Sequence, residues 1–185
     1  MFTYNIDEEL YLRLVDIGDR DAVYKLTDEG RGYLREWLNW VDGTQKPEDT
    51  TEFINMSKKN YADSSGLNAV IVFNEQVVGI AGYNLLDWNN YIAHIGYWLG
   101  EGYQGNGIMT RVSKALTDYA FDHLNMNKVE IRAAKGNVKS RAIPERLGYI
   151  EEGVIRSAER LYGDYVDHVV YGMLAWEWNK HGTRS

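Results

Sequence analysis

The stretch from Leu67 to Leu99 limits the fold more than any other part of the chain. It holds three short runs rich in β-branched and aromatic residues: "LNAVIVF" (Leu67–Phe73), "QVVGIAGYNLL" (Gln76–Leu86) and "YIAHIGYWL" (Tyr91–Leu99). Only Asn74-Glu75 separates the first two, and the turn-forming "DWNN" (Asp87–Asn90) separates the second from the third. Parallel neighbours need a crossover of about a dozen residues or more, and neither gap allows one. The three runs therefore predict an antiparallel meander.

The flanking segments add helices on both sides in sequence. "LYLRLV" (Leu10–Val15) alternates and reads as an opening strand. From Asp19 to Val41 the pattern is helical, with Leu26, Tyr33, Leu34, Trp37, Leu38 and Trp40 on its apolar side. Pro47 opens a second helix with acids in its first turn, as the helix dipole favours. After the meander, Ile108, Val112, Leu116, Ala120 and Leu124 keep helical spacing from Asn106 to His123. "KVEIRAA" (Lys128–Ala134) is a strand reached through that helix, so it is expected to lie parallel to the Tyr91 strand. A short helix from Val138 to Leu147 stops at Gly148, and two long strands, "YIEEGVIRSAERLY" and "YVDHVVYGMLAWEW", close the chain through Gly163-Asp164. The expectation is a single α+β domain over residues 1–185, with a mixed, mostly antiparallel sheet and a flexible tail at 179–185.

Charge and composition remove several function classes. The net charge is −7 with no basic patch, which argues against a nucleic-acid partner. No apolar run approaches the ~18 residues of a membrane span, and the start lacks the features of a signal peptide, so a cytoplasmic protein is expected. There are no cysteines, hence no disulfide, no thiolate metal site and no cysteine nucleophile; no metal is expected. The final hairpin and the aromatic content permit a homo-oligomer without requiring one.

The loop after the meander, "GEGYQGNG" (Gly100–Gly107), contains a literal GxGxxG. A dinucleotide fold would want a preceding first strand and an acid about 20 residues on; here a meander precedes, and the next strand ends in Ala133-Ala134-Lys135. A P-loop would need Gly-Lys-Ser/Thr, but Asn106 follows Gly105. Two readings remain open from the loop itself. Gly105 and Gly107 at a helix start can seat an anion on bare N–H groups, or they can serve only as a flexible connection.

Set beside "NVKSRAIPERLGY" (Asn137–Tyr149), the loop resembles the acetyl-CoA motif of the GNAT acetyltransferases. Gly105 and Gly107 supply the family's glycines. Asn137, Ser140, Glu145, Gly148 and Tyr149 fit its second signature, while Gly102 stands where many members carry Arg or Gln. The wider likeness, through "LREWLNWV", "IGYWL" and "AERLYGDYVDHVVYGML", is to the ribosomal-protein N-acetyltransferases. The resemblance implies a sheet splayed between the Tyr91 and Lys128 strands around acetyl-CoA. It implies main-chain contacts to the pantetheine arm near Tyr97, Trp98 and Leu99, and a diphosphate held by Gln104, Gly105, Asn106, Gly107 and Ile108. It implies Asn137 as a ligand (or only a helix cap), Ser140 as proton donor to the leaving thiolate, and Glu159 as general base with His94 as rival. Trp37 and Trp40 would wall the acceptor site.

Without a cysteine, direct attack of an amine on the thioester is the simplest route. Freeing a neutral α-amine at pH 7 costs about 1.4 kcal/mol, against about 4.6 kcal/mol for a lysine amine. This favours an α-amine acceptor, such as a ribosomal protein N-terminus. A small amine (polyamine, amino acid or antibiotic) and a non-catalytic CoA-sensing module stand as alternatives.

Overall fold

The structure is a computed structural model that describes residues 2–181, with side chains for residues 2–178. Among the described residues, eight strands form one sheet in the order β1-β2-β3-β4-β5-β6-β8-β7. They are β1 (Thr3–Asn5), β2 (Leu10–Leu14), β3 (Leu67–Phe73), β4 (Gln76–Asp87), β5 (Ile92–Leu99), β6 (Lys128–Ala134), β7 (Ile150–Leu161) and β8 (Asp164–Leu174). The helices are α1 (Arg20–Glu29), α2 (Arg31–Leu34), α3 (Pro47–Ala62), α4 (Ile108–Asp122), α5 (Val138–Arg146) and α6 (Ala175–His181). The expected meander is β3, β4 and β5. Asn74 and Glu75 both sit at positive φ (47° and 63°), the mirror-image turn that suits a two-residue hairpin. As expected, β5 and β6 run parallel; every other pairing is antiparallel.

The sheet carries apolar side chains on both faces. On one face, Ile108, Met109, Val112, Leu116 and Ala120 of α4 pack with Leu12, Ala81, Tyr83, Ile95 and Ile131. On the other, Val23 of α1 and Ile54 of α3 pack against Val15, Val70, Val72 and Ile80. Helices on both faces explain why β3 is buried along nearly its whole length, and why it reads as a continuous apolar run rather than an alternating one.

The fold departs from the expected one in three places. A first strand, β1, precedes the expected one and pairs with β2. The helix expected from Asp19 to Val41 is broken: α1 ends at Gly30, α2 is one turn, and a 3-10 turn follows at Val41–Gly43. Gly30 and Gly32 weaken a helix at that point. Arg31 then donates to the carbonyls of Val41 and Thr44, folding the segment back on itself. The last strand does not run to Trp178. It gives way at Ala175 to α6, where Glu177 accepts the Leu174 N–H and Trp178 Nε1 donates to Asp118. Backbone helix thus covers the first part of the tail expected at 179–185, and the remainder, 182–185, lies outside the described residues.

Candidate active site

The site begins where the one parallel pairing among the described residues stops. β5 and β6 are in register from Ile92–Lys128 to Ile95–Ile131, and then they part. Beyond Ile95, β5 still pairs with β4 through Leu99, and β6 still pairs with β8 through Ala134. Among the described residues, no strand therefore covers the inner edge of β5 from Gly96 to Leu99. Gly96 stands at the fork. A register shift between Tyr83 and Leu85 in β4 brings the Asn84 side chain over it, and a Cβ there would meet the Asn84 amide at 2.2 Å. A side chain at the fork would have to displace the Asn84 amide.

A cavity of about 910 Å³ fills the gap. Gly96, Tyr97 and Trp98 line one side, and Arg132, Ala133 and Ala134 the other. Of the residues singled out in the sequence, Trp37, Trp40, His94, Tyr97, Trp98, Asn137, Ser140 and Glu159 all border this cavity. Leu99 is buried beneath it in the core. Gln104 to Ile108 lie outside the lining, on the segment into which β5 runs directly.

That segment has the geometry of an anion seat. Gly105 and Gly107 are at positive φ (80° and 66°), and a Cβ at either would meet nothing within 4 Å. The first bond of α4 runs from Arg111 N to Gly107 O. The N–H groups of Ile108, Met109 and Thr110 therefore precede the helical ladder and point out of its N-terminus, where the dipole favours negative charge. The side chains of Gln104 and Asn106 are tied locally: Gln104 Oε1 accepts from Lys139, and Asn106 Nδ2 donates to the Tyr103 carbonyl.

At the start of α5, Asn137 is a helix cap, its Oδ1 accepting the Ser140 N–H at 3.2 Å. The Tyr97 phenol donates to the Ser140 carbonyl at 3.0 Å, with Ser140 Oγ 3.5 Å from the phenol oxygen. Burial pushes the Tyr97 hydroxyl up to about 12, so it stays protonated. Two neutral hydroxyls thus border the cavity together. Arg141, a side chain that could have met phosphate, is committed to the Tyr171 hydroxyl and the Lys135 carbonyl.

The aromatic wall comes from the loop that follows α2. Trp40 and Trp98 are 5.7 Å apart by ring centroids, and Trp37 lies against Gly136. The tip of the β7–β8 hairpin holds this loop in place. Tyr162 donates to the Leu38 carbonyl, and Arg35 stacks 4.1 Å over the Tyr162 ring.

Two carboxylate–imidazole pairs border the cavity. His94 Nδ1 lies 3.3 Å from Glu130 Oε1, at the register position where β5 and β6 still pair. Glu130 is buried and also meets Arg132 at 2.6 Å and Lys128 at 3.5 Å. The hydrogen bond from His94, reinforced by Arg132, outweighs burial and lowers its carboxyl to about 2. The second pair is Glu159 with His168, at 2.9 Å. Neither Glu130 nor His168 was picked out in the sequence. Strand parity is the signal that would have found them: His94 and Glu130 are direct partners, and counting back from Gly163 puts Glu159 and His168 on one face.

A consequence of the Glu130 cluster is testable without any substrate. Its carboxyl is depressed from an ordinary 4.5 to about 2, so its contribution to stability is complete above pH 4.5 and is lost as pH falls toward 2. Glu130→Gln is expected to lower stability at pH 7 and to flatten the acid limb between those values. Urea melts across pH 2–7 measure both effects.

Comparison with known proteins converges on one family. Residues 9–150 match the family described as "Acetyltransferase (GNAT) domain". YdaF of Bacillus subtilis (strain 168), provisionally named a ribosomal N-acetyltransferase, is 35% identical over 96% of this chain and 98% of its own. Among solved structures, the RimL ribosomal L7/L12 alpha-N-protein acetyltransferase in complex with coenzyme A superposes with a TM-score of 0.89 at 27% identity, covering 94% of this chain and 98% of that one. The Microcin C7 self immunity acetyltransferase MccE, in complex with acetyl-CoA and AMP, gives 0.88 at 26%, covering 91% and 94%. An eight-stranded sheet that forks between its parallel strands, a glycine-started helix beside the fork and a match over most of the chain make this protein a member of the GNAT family, an acetyl-CoA-dependent N-acetyltransferase.

Proposed function

We propose that the enzyme acetylates the N-terminal α-amine of a protein, with ribosomal proteins as the acceptor class, by direct attack of the amine on the thioester of acetyl-CoA. The observation that carries the reading is the uncovered edge of β5 beside a cavity holding both a carboxylate, Glu159, and a hydroxyl pair, Ser140 and Tyr97. In this reading the main chain of Tyr97, Trp98 and Leu99 pairs with the pantetheine arm. One of its N–H groups polarises the thioester carbonyl as charge develops on oxygen. The segment from Gln104 to Ile108 holds the diphosphate through the N–H groups of residues 105–108, and Asn137, besides capping α5, contacts the arm.

Glu159 takes the acceptor's proton, and Ser140 supplies one to the departing thiolate, with the Tyr97 hydroxyl next to it. Trp37 and Trp40 pack against the acceptor's first residues. Glu130 is a poor rival base because its carboxyl is lowered to about 2. His94 remains the rival. A small-molecule amine is the second reading, supported by the likeness to MccE, whose structure holds AMP alongside acetyl-CoA.

Thiol release from acetyl-CoA, followed with a thiol reagent over N-terminal peptides, polyamines, amino acids and aminoglycosides, tests the assignment. The protein has no thiol of its own to disturb the signal. Peptides with a free α-amine are expected to turn over best, and N-terminally blocked peptides with internal lysines poorly. Faster turnover of a small amine would replace this acceptor class with the second reading.

A further inference from the structure

Glu159 sits on a strand poorly placed to hold a side chain still. β7 is an edge strand, exposed along nearly all its length, and its ladder with β8 is interrupted just before Glu159. Ile155 pairs with His168 and Glu159 with Val166, so β7 spends two more residues than β8 over this interval. Ser157 takes a positive φ of 50° in the bulge, and its N–H donates to Asp167 at 2.9 Å. An even number of extra residues keeps the strand's parity, so Glu159 stays on the face that bears Ile155 and His168.

His168 is held differently. Its backbone lies between two strands, opposite Ala134 of β6 and Ile155 of β7. Its Nε2 is 2.9 Å from Glu159 Oε2, and the two side chains are 20% and 23% exposed. An ionised carboxylate can only accept, so the contact requires the proton of His168 on Nε2; the other tautomer would set lone pair against lone pair.

We propose that His168 is a positioning residue for Glu159. Its Nε2–H fixes Oε2 and leaves Oε1 available to the acceptor amine. The proposal rests on Glu159 being the base. In the step itself, the amine nitrogen bonds to the thioester carbonyl carbon and the C–S bond breaks. The thiolate sulfur takes a proton from Ser140, which regains one from water; the amine's proton passes to Oε1 and from there to water, and His168 keeps its own proton on Nε2 throughout. The base is thus oriented by a third group, as activated nucleophile–base pairs generally are.

Four variants test this: His168→Leu, His168→Gln, Glu159→Gln and the Leu/Gln double variant. His168→Leu is expected to lose on the order of 10- to 100-fold in kcat for the acceptor, with KM for acetyl-CoA unchanged. His168→Gln, whose amide can donate from nearly the same place, is expected to recover most of that loss. In the Glu159→Gln background, His168→Leu is expected to cost little more, because the two act as one unit. A wild-type rate for His168→Leu, no recovery with Gln, or equal losses in both backgrounds would each overturn the positioning role.

A wild-type rate for Glu159→Gln would instead remove the base assignment, which separates the two failures. A measurement on the unaltered protein needs no variant to fold: the ¹⁵N shifts of the His168 ring should report the Nε2–H tautomer. The Nδ1–H form would rule the contact out.

Discussion

Glu159→Gln is expected to lower kcat/KM for a peptide acceptor about 100-fold at pH 7, near the low end for loss of a general base. The low end follows from the acceptor. An α-amine with a pKa of about 8 is about one-tenth neutral at pH 7, so the base has only ~1.4 kcal/mol of deprotonation to offset, plus the proton that leaves as the C–N bond forms. Above pH 9 the amine is already neutral, and the deficit is expected to shrink to about tenfold or less. Glutamine keeps the size of the side chain and can still meet His168, so acetyl-CoA binding is expected to be unchanged. A pH–rate profile of the variant against the wild type is the measurement. A deficit that is constant from pH 6 to 10 would mean that Glu159 does not handle the acceptor's proton. A wild-type profile would pass the role to His94, an imidazole that borders the cavity on β5.

Gly107→Asp is expected to weaken acetyl-CoA binding about 100-fold, or ~2.7 kcal/mol, by setting a carboxylate where the diphosphate would rest. The substitution is chosen so that the fold survives it. Gly107 caps α4 at φ 66° and ψ 11°, the left-handed region that Asn and Asp enter more readily than other side chains, and a Cβ there meets nothing within 4 Å. Gly107→Asn has the same shape without the charge, and is expected to stay within a fewfold of wild type. Calorimetric titration of both variants with acetyl-CoA separates electrostatics from sterics. Equal affinities for the Asp and Asn variants would place the diphosphate away from this loop.

Local signals made much of this molecule legible from its residues. Asn74-Glu75 between two β-branched runs, Gly148 after an amphipathic turn and Gly105/Gly107 before a helix each fix a few backbone angles, and the structure has all of them. Of the residues that the resemblance collected, Tyr97, Trp98, Asn137, Ser140, Glu159 and His94 border one cavity, while Leu99 and Gln104 to Ile108 do not line it. Contacts set by register or by distant competition were not legible. No short window reveals that Arg31 will seize two carbonyls ten and thirteen residues on and bend an expected helix into a loop. "AWEW" alternates like a strand, but Glu177 and Asp118 turn it into a helix. Glu130 reads as an ordinary strand acid until its pairing with His94 is known. His168 was passed over for a related reason: its importance comes from Glu159, nine residues away across a hairpin.

The fork between β5 and β6 has a consequence for how the protein lasts as well as for how it works. Four residue pairs are all that stitch those strands together, so one side of the seam leans on the crossover helix for its alignment with the other. A guest lodged there would act as mortar. At a hundred times its dissociation constant it would add about 2.7 kcal/mol to the folded state. Resistance to heat and to proteolysis would then rise and fall with acetyl-CoA supply, making the enzyme sturdiest when there is work for it to do.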